Sequence, residues 1–274
     1  MLLKRVITAI IGIIAAVFII HYGGWLFAAT VLLLTLLAWH EYYNMMTRLE
    51  ISIAYYIGIL GILLLWGSAW LGNSREILAV LLMSSFLILA KMVLSYANFT
   101  VRDAVYTLSG LIYIGLTFPH LILLRFMDNS LYIPTQFGTL QAGTIYLWLA
   151  IVGTWASDTL AFFVGSQFGR HKLAPAVSPG KTWEGGAGGI AGSILAVTGL
   201  GTICDIPLAH SLVIGGLVGI VGPLGDLVES AIKRSAGVKD SGRLLPGHGG
   251  VLDRFDSVMF TAPTVYYYIY AFLS

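Results

Sequence analysis

The stretch VITAIIGIIAAVFIIHYGGWLFAATVLLLTLLAW, from Val6 to Trp39, joins two apolar runs through the short link His21 to Gly24. Lys4 and Arg5 precede it, and a basic start before a short apolar run is also typical of a signal peptide. No small-residue cleavage site follows the first run, and the chain soon becomes apolar again. The stretch therefore predicts a hairpin of two membrane helices.

Apolar runs of this kind recur along the whole chain. Of its 274 residues, 58% are hydrophobic and only 10% are charged, which is more apolar surface than one water-soluble globule of this size can hide. We predict an all-α integral membrane protein, a polytopic bundle of about nine transmembrane helices. The predicted spans are Val6–Ile20, Trp25–Trp39, Ile51–Leu71, Ile77–Ala97, Val105–Phe126, Thr144–Gly165, Glu184–Ile203, Leu208–Asp226 and Phe255–Phe272.

The net charge and the cysteine content narrow the function classes. A net charge of +2 is ordinary for a membrane protein and does not indicate a nucleic-acid partner. Cys204 is the only cysteine of the sequence. An intrachain disulfide and a multi-cysteine metal site are therefore excluded.

The basic residues indicate the orientation of the spans. If the spans alternate, one side receives twelve Lys and Arg residues, and the other receives Arg75 and, at a helix end, Arg125. By the positive-inside rule the crowded side is cytoplasmic. We expect a multi-pass protein of the cell (inner) membrane, with the N-terminus inside, the C-terminus outside and the active site facing the cytoplasm. The twelve cations are Lys4, Arg5, Arg48, Arg102, Arg170, Lys172, Lys181, Lys233, Arg234, Lys239, Arg243 and Arg254.

The two halves of the chain differ in their chemistry. Residues 1–142 carry scattered polar groups, such as His40 with Glu41, which we interpret as interfacial or inter-helix contacts. No function is predicted for the polar outer loop from Met127 to Ala142. We predict an N-terminal scaffold of transmembrane helices, 1–142, and a C-terminal catalytic transmembrane region with cytosolic-side loops, 143–274.

A first group of candidate site residues follows Thr154. Asp158 lies in or near an otherwise apolar helix, where a carboxylate is costly unless it meets a cation, a metal, water or a hydrogen-bond partner on another helix. The loop SPGKTWEGG, at 178–186, is not a Walker motif, because Pro175 stands where that motif needs a glycine. Its turn amides, its hydroxyls and the charge of Lys181 still suit phosphate, while Thr182 as a plain helix N-cap fits the same pattern.

Glycines follow this loop at spacings that permit close helix packing. The pairs are four residues apart, and such small-residue faces pack either within one subunit or between two copies, so a homodimer is one expected arrangement. The pairs are Gly185 and Gly189, Gly188 and Gly192, and Gly215 and Gly219.

The segment GDLVESAIKRSAGVKDSGRLLPGHGGVLDRFD, at 225–256, concentrates charge in an apolar chain. If the preceding helix continues past Pro223, then Asp226, Glu229 and Lys233 share one helix face. One face then carries anions and a cation together.

A Gly-rich loop and two more carboxylates complete this segment. Residues 235–250 contain too many glycines for a regular helix and suit a tight loop that folds back toward the membrane surface. Asp253 and Asp256 then open the last helix on one face. Carboxylates from two helix ends that meet across such a loop form the oxygen site that Mg²⁺ prefers, completed by substrate phosphates and water. The alternative is an ion-pair network that stabilises a cytosolic loop.

The same segment closely resembles the signature of the phosphatidate cytidylyltransferases, the CDP-diacylglycerol synthases. The blocks around Asp158, at SPGKTWEG and at GDLVES are similar to that family too, so the resemblance extends over residues 150–260. Gly180 departs from the pattern, because the family commonly has a second Lys or Arg there. The matching positions are Ser230, Lys233, Arg234, Lys239, Asp240, Pro246, His248, Gly249, Gly250, Asp253, Arg254 and Asp256.

The resemblance implies a nucleotidyltransferase of phospholipid biosynthesis. A phosphate oxygen of phosphatidate attacks the α-phosphorus of CTP, giving CDP-diacylglycerol and pyrophosphate, with Mg²⁺ and in one reading a second cation. Its partners are CTP, phosphatidate and the lipid bilayer. The implied catalytic residues are Asp226, Lys233, Arg234, His248, Asp253 and Asp256, with Asp226, Asp253 and Asp256 on the metal; the implied substrate-binding residues are Asp158, Ser178, Lys181, Thr182, Glu184, Ser230, Lys239 and Asp240.

Other classes of membrane protein share parts of this pattern. A CTP-dependent lipid kinase of the polyprenol or phytol type would use much of the same apparatus but would attack the γ-phosphorus. A transporter would place Asp158 and Lys91 inside a helix bundle, yet it does not account for charges gathered in one loop system. A CDP-alcohol phosphotransferase is excluded, because its DG-x2-AR-x8-G-x3-D-x3-D pattern is missing from the sequence.

Overall fold

The computed structural model describes residues 2–135, 138–242 and 249–273, with side chains from residue 10 onward other than that of residue 74. Helices dominate the described chain, and two short hairpins interrupt them. The helices are α1 Leu2–Tyr22, α2 Gly24–Arg48, α3 Tyr55–Trp70, α4 Ser74–Leu94, α5 Val101–Gly110, a π-helical turn Leu111–Leu116, α6 Pro119–Arg125, α7 Ala142–Phe168, α8 Trp183–Ile203, α9 Leu208–Ser235 and α10 Leu252–Phe272; the strands are β1 Tyr132–Thr135, β2 Gly138–Gln141, β3 Lys172–Ala174 and β4 Ser178–Thr182.

The length and composition of the helices confirm a polytopic all-α membrane protein. Within the described residues, six helical segments are long and apolar enough to cross a bilayer, and Ile10–Tyr22 and Tyr55–Trp70 are shorter apolar helices. The count of nine spans stays a prediction. The six segments are Gly24–Arg48, Arg75–Leu94, Val101–Arg125, Ala142–Phe168, Trp183–Ile203 and Leu208–Ser235.

The chain forms two compact units. The first comprises Met1–Leu123 and Lys233–Arg254, and the second comprises Leu124–Ile232 and Phe255–Ser274. These units are defined by packing, whereas the division into 1–142 and 143–274 was drawn from chemistry, so that division stays a prediction.

The two hairpins were not anticipated from the sequence. β1 pairs antiparallel with β2 inside the polar loop 127–142, and β3 pairs antiparallel with β4. β4 comprises all five residues of SPGKT, a stretch that the sequence suggested to contain a turn. Strands of three to five residues are too short for an alternating apolar pattern to identify them.

Close helix packing in the second unit uses the glycine pairs seen in the sequence. A Cβ on Gly188 would lie 2.6 Å from Val164 of α7, and one on Gly192 would lie 2.9 Å from Leu160. Gly215 approaches the backbone of Ile194 in α8 in the same way. The spacing thus permits contacts within one chain, and the homodimer stays a prediction.

Helix α9 continues through Pro223 to Ser235, which meets the condition for Asp226 and Glu229 to share one helix face. Gly225 lies directly against the carbonyl oxygen of Asp256, leaving no room for a side chain. This contact lets α9 approach the start of α10 closely. It sets the spacing of the carboxylates in the candidate site.

Candidate active site

An acidic cluster lies where α9 and α10 meet in the second unit. Asp226 and Glu229 stand one turn apart on α9, and Asp256 lies in the second turn of α10. One carboxylate oxygen from each residue lies within 4.8 Å of the others. Ser230 donates a hydrogen bond to Oδ1 of Asp226 at 3.1 Å. The sequence grouped Asp226 and Asp256 with Asp253 as metal ligands, whereas the cluster in the structure consists of Asp226, Glu229 and Asp256.

Lys181 on β4 reaches this cluster from the loop side. Its Nζ lies 2.7 Å from Oδ2 of Asp226 and donates to the carbonyl of Pro223 at 3.1 Å. Both side chains of the ion pair remain partly exposed, Lys181 at 23% and Asp226 at 34%. A charge in this position is available to a ligand as well as to Asp226.

The ion pair lines a cavity of about 410 Å³. Its polar wall also includes Asp158 in α7, so the structure brings this residue to the same cavity as the SPGKT motif. The other wall of the cavity is formed by apolar side chains. The cavity therefore suits a molecule with a charged part and an apolar part. The lining includes Asp158, Ser178, Lys181, Thr182 and Asp226 on the polar side, and Ala161, Phe162, Leu173 and Pro223 on the apolar side.

Thr182 and Glu184 hold the start of α8. Thr182 is the N-cap, and its Oγ1 accepts from the amide of Gly185 at 3.1 Å. Glu184 accepts from the amide of Arg170 at 3.1 Å and from Nδ1 of His171 at 2.6 Å. These contacts tie the residues directly before β3 to the start of α8. They give Glu184 a structural role beside its predicted one in substrate binding.

A second charged group belongs to the first unit. Lys233 Nζ donates to Oδ1 of Asp253 at 2.6 Å. Oδ2 of Asp253 accepts from the amide of Ser241 at 2.8 Å and from the amide of Gly250 at 2.8 Å. The ion pair is buried, with Lys233 11% and Asp253 7% exposed. Both carboxylate oxygens of Asp253 are therefore engaged by donors of the chain.

These donors control the ionisation of Asp253, which lies before the predicted transmembrane span Phe255–Phe272. Burial alone would raise the pKa of this carboxyl, but the hydrogen bond from Lys233 and the amides of Gly250 and Ser241 outweigh burial. The pKa of Asp253 falls from 3.8 to about 2. The group is held as a carboxylate at neutral pH.

Glu41 in α2 is a member of this group that sequence reasoning missed. Its carboxylate accepts from the amides of Val251 and Leu252 and from the hydroxyl of Ser241. The apolar helix around Glu41 signalled a costly charge. Nothing in the sequence pattern pointed to partners 200 residues away.

Three further predicted site residues lie at the end of α9 or shortly after it. Lys239 and Asp240 line a cavity of about 580 Å³ together with Arg48 of α2. Arg234 donates to the carbonyl of Val238 at 3.1 Å. His248, predicted to be catalytic, lies outside the described residues.

The acidic cluster has the chemistry of a divalent-cation site. Its donors are all carboxylate oxygens, the ligand type that Mg²⁺ and Ca²⁺ prefer. Carboxylates this close repel one another unless positive charge lies among them. The residues present therefore fit a hard metal ion, without identifying which one.

Comparison with known proteins agrees with this chemistry. A model of the cytidylyltransferase family matches residues 3–272. The chain is 37% identical over 265 residues to the phosphatidate cytidylyltransferase of Staphylococcus saprophyticus, covering 94% of this chain and 95% of that protein. It is 34% identical over 278 residues to the phosphatidate cytidylyltransferase of Bacillus subtilis, covering 98% of each chain.

Proposed function

We propose that this chain, which belongs to the cytidylyltransferase family, transfers the cytidylyl group of CTP to phosphatidate. The observation that carries this proposal is its similarity, over 94% or more of its length, to relatives named phosphatidate cytidylyltransferase. A phosphate oxygen of phosphatidate forms a bond to the α-phosphorus of CTP, and the bond between that phosphorus and the bridging oxygen to the β-phosphate breaks. The products are CDP-diacylglycerol and pyrophosphate.

The nucleophile needs little activation by the protein. A phosphate monoester already carries negative charge at neutral pH, so no strong general base is required. The difficulty lies in bringing an anionic lipid next to a triphosphate and aligning the attacking and leaving oxygens. Cations and positioning groups are expected to supply most of the catalysis.

We propose that Asp226, Glu229 and Asp256 bind the metal ion, and that this ion is Mg²⁺. The support is the convergence of their oxygens within 4.8 Å and the preference of Mg²⁺ for carboxylates and substrate phosphates. When bound, such an ion neutralises charge on the triphosphate. Asp253 as a further ligand, and a second cation, stay predictions from the family resemblance.

The cavity beside Asp158 is the proposed seat of the reacting groups. Lys181 already holds one carboxylate and can offer its charge to a phosphate, as Lys does in other phosphate sites. Phe162 and Leu173 give the same cavity an apolar wall, which suits the acyl chains of a lipid. Ser178 and Thr182 stay predicted nucleotide contacts, and Glu184 stays a predicted substrate-binding residue.

The last turns of α9 and the residues after it carry further groups with proposed roles. Lys233 and Arg234 are proposed to neutralise phosphates, and Ser230 supports Asp226 through its hydrogen bond at 3.1 Å. Lys239 and Asp240 stay predicted substrate contacts, and so does His248 as a catalytic group.

The orientation in the membrane is also a proposal. We place the loops around Lys172 and Lys239 in the cytoplasm, where CTP is made, on the basis of the uneven distribution of cations. Single cysteines at Lys172 and Leu131, both exposed, in a Cys204→Ser background should react with an impermeant thiol reagent from opposite sides. Reaction from the same side would contradict the proposed orientation.

Labelled CTP tests the reaction itself. Purified protein is incubated with phosphatidate, Mg²⁺ and CTP carrying ³²P at either the α or the γ position. We expect α-label in the lipid product and γ-label in pyrophosphate. Transfer of γ-label to lipid would instead identify a lipid kinase, and no transfer of either label would favour the transporter alternative.

A further inference from the structure

Glu41 connects the N-terminal helices to the start of α10. It lies two turns before the end of α2, and its side chain is buried. Oε1 accepts from the amide of Val251 at 2.8 Å, and Oε2 accepts from the amide of Leu252 at 3.0 Å and the hydroxyl of Ser241 at 2.8 Å. Three donors, one from Ser241 and two from the start of α10, thus meet on a single carboxylate.

The two amides are groups that a helix start leaves without a helical partner. Because α10 begins at Leu252, the amides of Val251 and Leu252 have no carbonyl one turn earlier in that helix. The start of a helix also carries partial positive charge, which favours a nearby carboxylate. Glu41 therefore caps α10 from a separate helix.

Two glycines of the segment 225–256 leave the space that the Glu41 carboxylate occupies. A Cβ on Gly242 would lie 2.5 Å from Oε1 of Glu41, and a Cβ on Gly250 would collide with the same oxygen and with Ser241 Oγ. Only glycine leaves space for the carboxylate at these two positions. Residues on both sides of the predicted Gly-rich loop thus lie against Glu41, while the predicted fold-back of the loop toward the membrane surface stays a prediction.

Ser241 carries the contact from Glu41 to the residues predicted to be catalytic. Its Oγ lies 2.8 Å from Oε2 of Glu41 and 2.9 Å from Oδ2 of Asp253. A hydroxyl has one proton, so it donates to one carboxylate at a time while keeping both within reach. Asp253 in turn holds Nζ of Lys233 at 2.6 Å.

We propose that Glu41 is a positioning residue for cytidylyl transfer, fixing the start of α10 and the loop at Ser241 so that Asp253 and Lys233 keep their working orientation. The inference rests on the proposed function. Glu41 acts through the amides of α10 and through Ser241, so its loss should affect turnover more than nucleotide binding. The N-terminal half thus supplies a residue to the catalytic apparatus and is more than a scaffold.

The test uses the full chain in detergent with phosphatidate and CTP. Glu41→Gln keeps the size of the side chain but turns one acceptor oxygen into an NH₂ group, which then faces a donor. We expect kcat to fall about 10- to 100-fold, as for other residues that orient a site from behind, with KM for CTP within about threefold of wild type. Glu50→Gln, an exposed acid just after α2, is the matched control and should keep wild-type kinetics.

Hydrogen exchange gives a readout that does not depend on activity. The amides of Val251 and Leu252 should exchange faster in Glu41→Gln than in wild type. Their exchange rates should be unchanged in Glu50→Gln. A double-mutant cycle adds specificity, because Gly242→Ala should harm the wild type more than it harms Glu41→Ala, where the colliding oxygen is gone.

The outcomes separate this inference from the proposed function. Wild-type kcat in Glu41→Gln, or exchange at both amides unchanged by that substitution, would overturn the role of Glu41. A wild-type protein that makes no CDP-diacylglycerol would overturn the proposed function, while the exchange comparison would still decide whether Glu41 caps α10. If Glu41→Ala does not fold, the comparison of Glu41→Gln with wild type carries the test.

Discussion

Two lysine–aspartate pairs of almost equal length have opposite surroundings. Lys181 lies 2.7 Å from Asp226 in the second unit, and Lys233 lies 2.6 Å from Asp253 in the first. The first pair lines a cavity and stands next to other carboxylates. The second is buried and surrounded by donors.

The difference teaches how to recognise a binding site among charged residues. Around Asp226, the carboxylates of Glu229 and Asp256 lie within 4.8 Å, and a cation among carboxylates this close is stabilising. Around Asp253, a lysine and two amides already satisfy the carboxylate, and the gain from a further ligand is smaller. Distance within a pair is therefore less informative than the balance of donors and acceptors around it.

Removing a carboxylate from the acidic cluster should have the largest effect. Asp226→Asn or Asp256→Asn keeps the shape but removes charge that a metal needs, and we expect kcat to fall about 100- to 1000-fold, the scale of losing a major electrostatic contributor. The Mg²⁺ concentration for half-maximal activity should rise, while the melting temperature changes little. A Mg²⁺ titration of activity and a thermal melt measure both.

Asp205→Asn is the control for these variants, since Asp205 is an exposed acid of the same unit and should leave activity unchanged. The comparison also tests Asp253. If Asp253→Asn shifts the Mg²⁺ requirement as strongly as Asp226→Asn does, then Asp253 is a metal ligand as the sequence predicted, and the contrast between the two pairs is wrong.

Replacing each of the two lysines with methionine should separate an effect on CTP binding from an effect on the stability of the protein. Lys181→Met removes a partly exposed charge, so we expect kcat/KM for CTP to fall about 10- to 100-fold, equivalent to one charged hydrogen bond. Its stability should change by less than about 1 kcal/mol. Lys233→Met leaves Asp253 buried without its lysine and should cost about 3 kcal/mol of unfolding free energy.

Denaturation in detergent and CTP kinetics on the two variants check this prediction. Lys172→Met, an exposed lysine on β3, is the control. Equal losses of stability in Lys181→Met and Lys233→Met would show that the two pairs do the same work.

The sequence predicted those features that depend on a short-range pattern of residues. Apolar runs are long because a bilayer must be crossed, so the helices could be placed. The shared face of Asp226 and Glu229 follows from helical periodicity once α9 continues through Pro223. The hairpin of β3 and β4 was not predicted. Its strands have only three and five residues, which is too short for an alternating pattern of apolar residues to identify them.

The candidate site was predictable only where its residues share a helix or a motif. Asp226, Lys181 and Asp256 stood out because charge is rare in this chain. The partner of each charge was not predictable, since hydrogen bonds across 200 residues depend on how the helices pack. Glu41 and Asp253 show the consequence, because the sequence offered no means of linking them.

The smallest expected effect is the pH dependence of the buried pair. The pKa of Asp253 is about 2 in the folded protein and 3.8 as an ordinary aspartic acid. Since the folded pKa is the lower one, the stabilisation is fully present above pH 3.8 and is lost as the pH falls toward 2. A shift of this size corresponds to about 2 kcal/mol. Unfolding free energies of wild type and Asp253→Asn, measured in detergent at several pH values in this window and at neutral pH, should therefore converge as the pH falls. A constant gap between the two proteins across that range would show that Asp253 does not depend on its charge, and would remove the distinction between the two pairs on which the comparison rests.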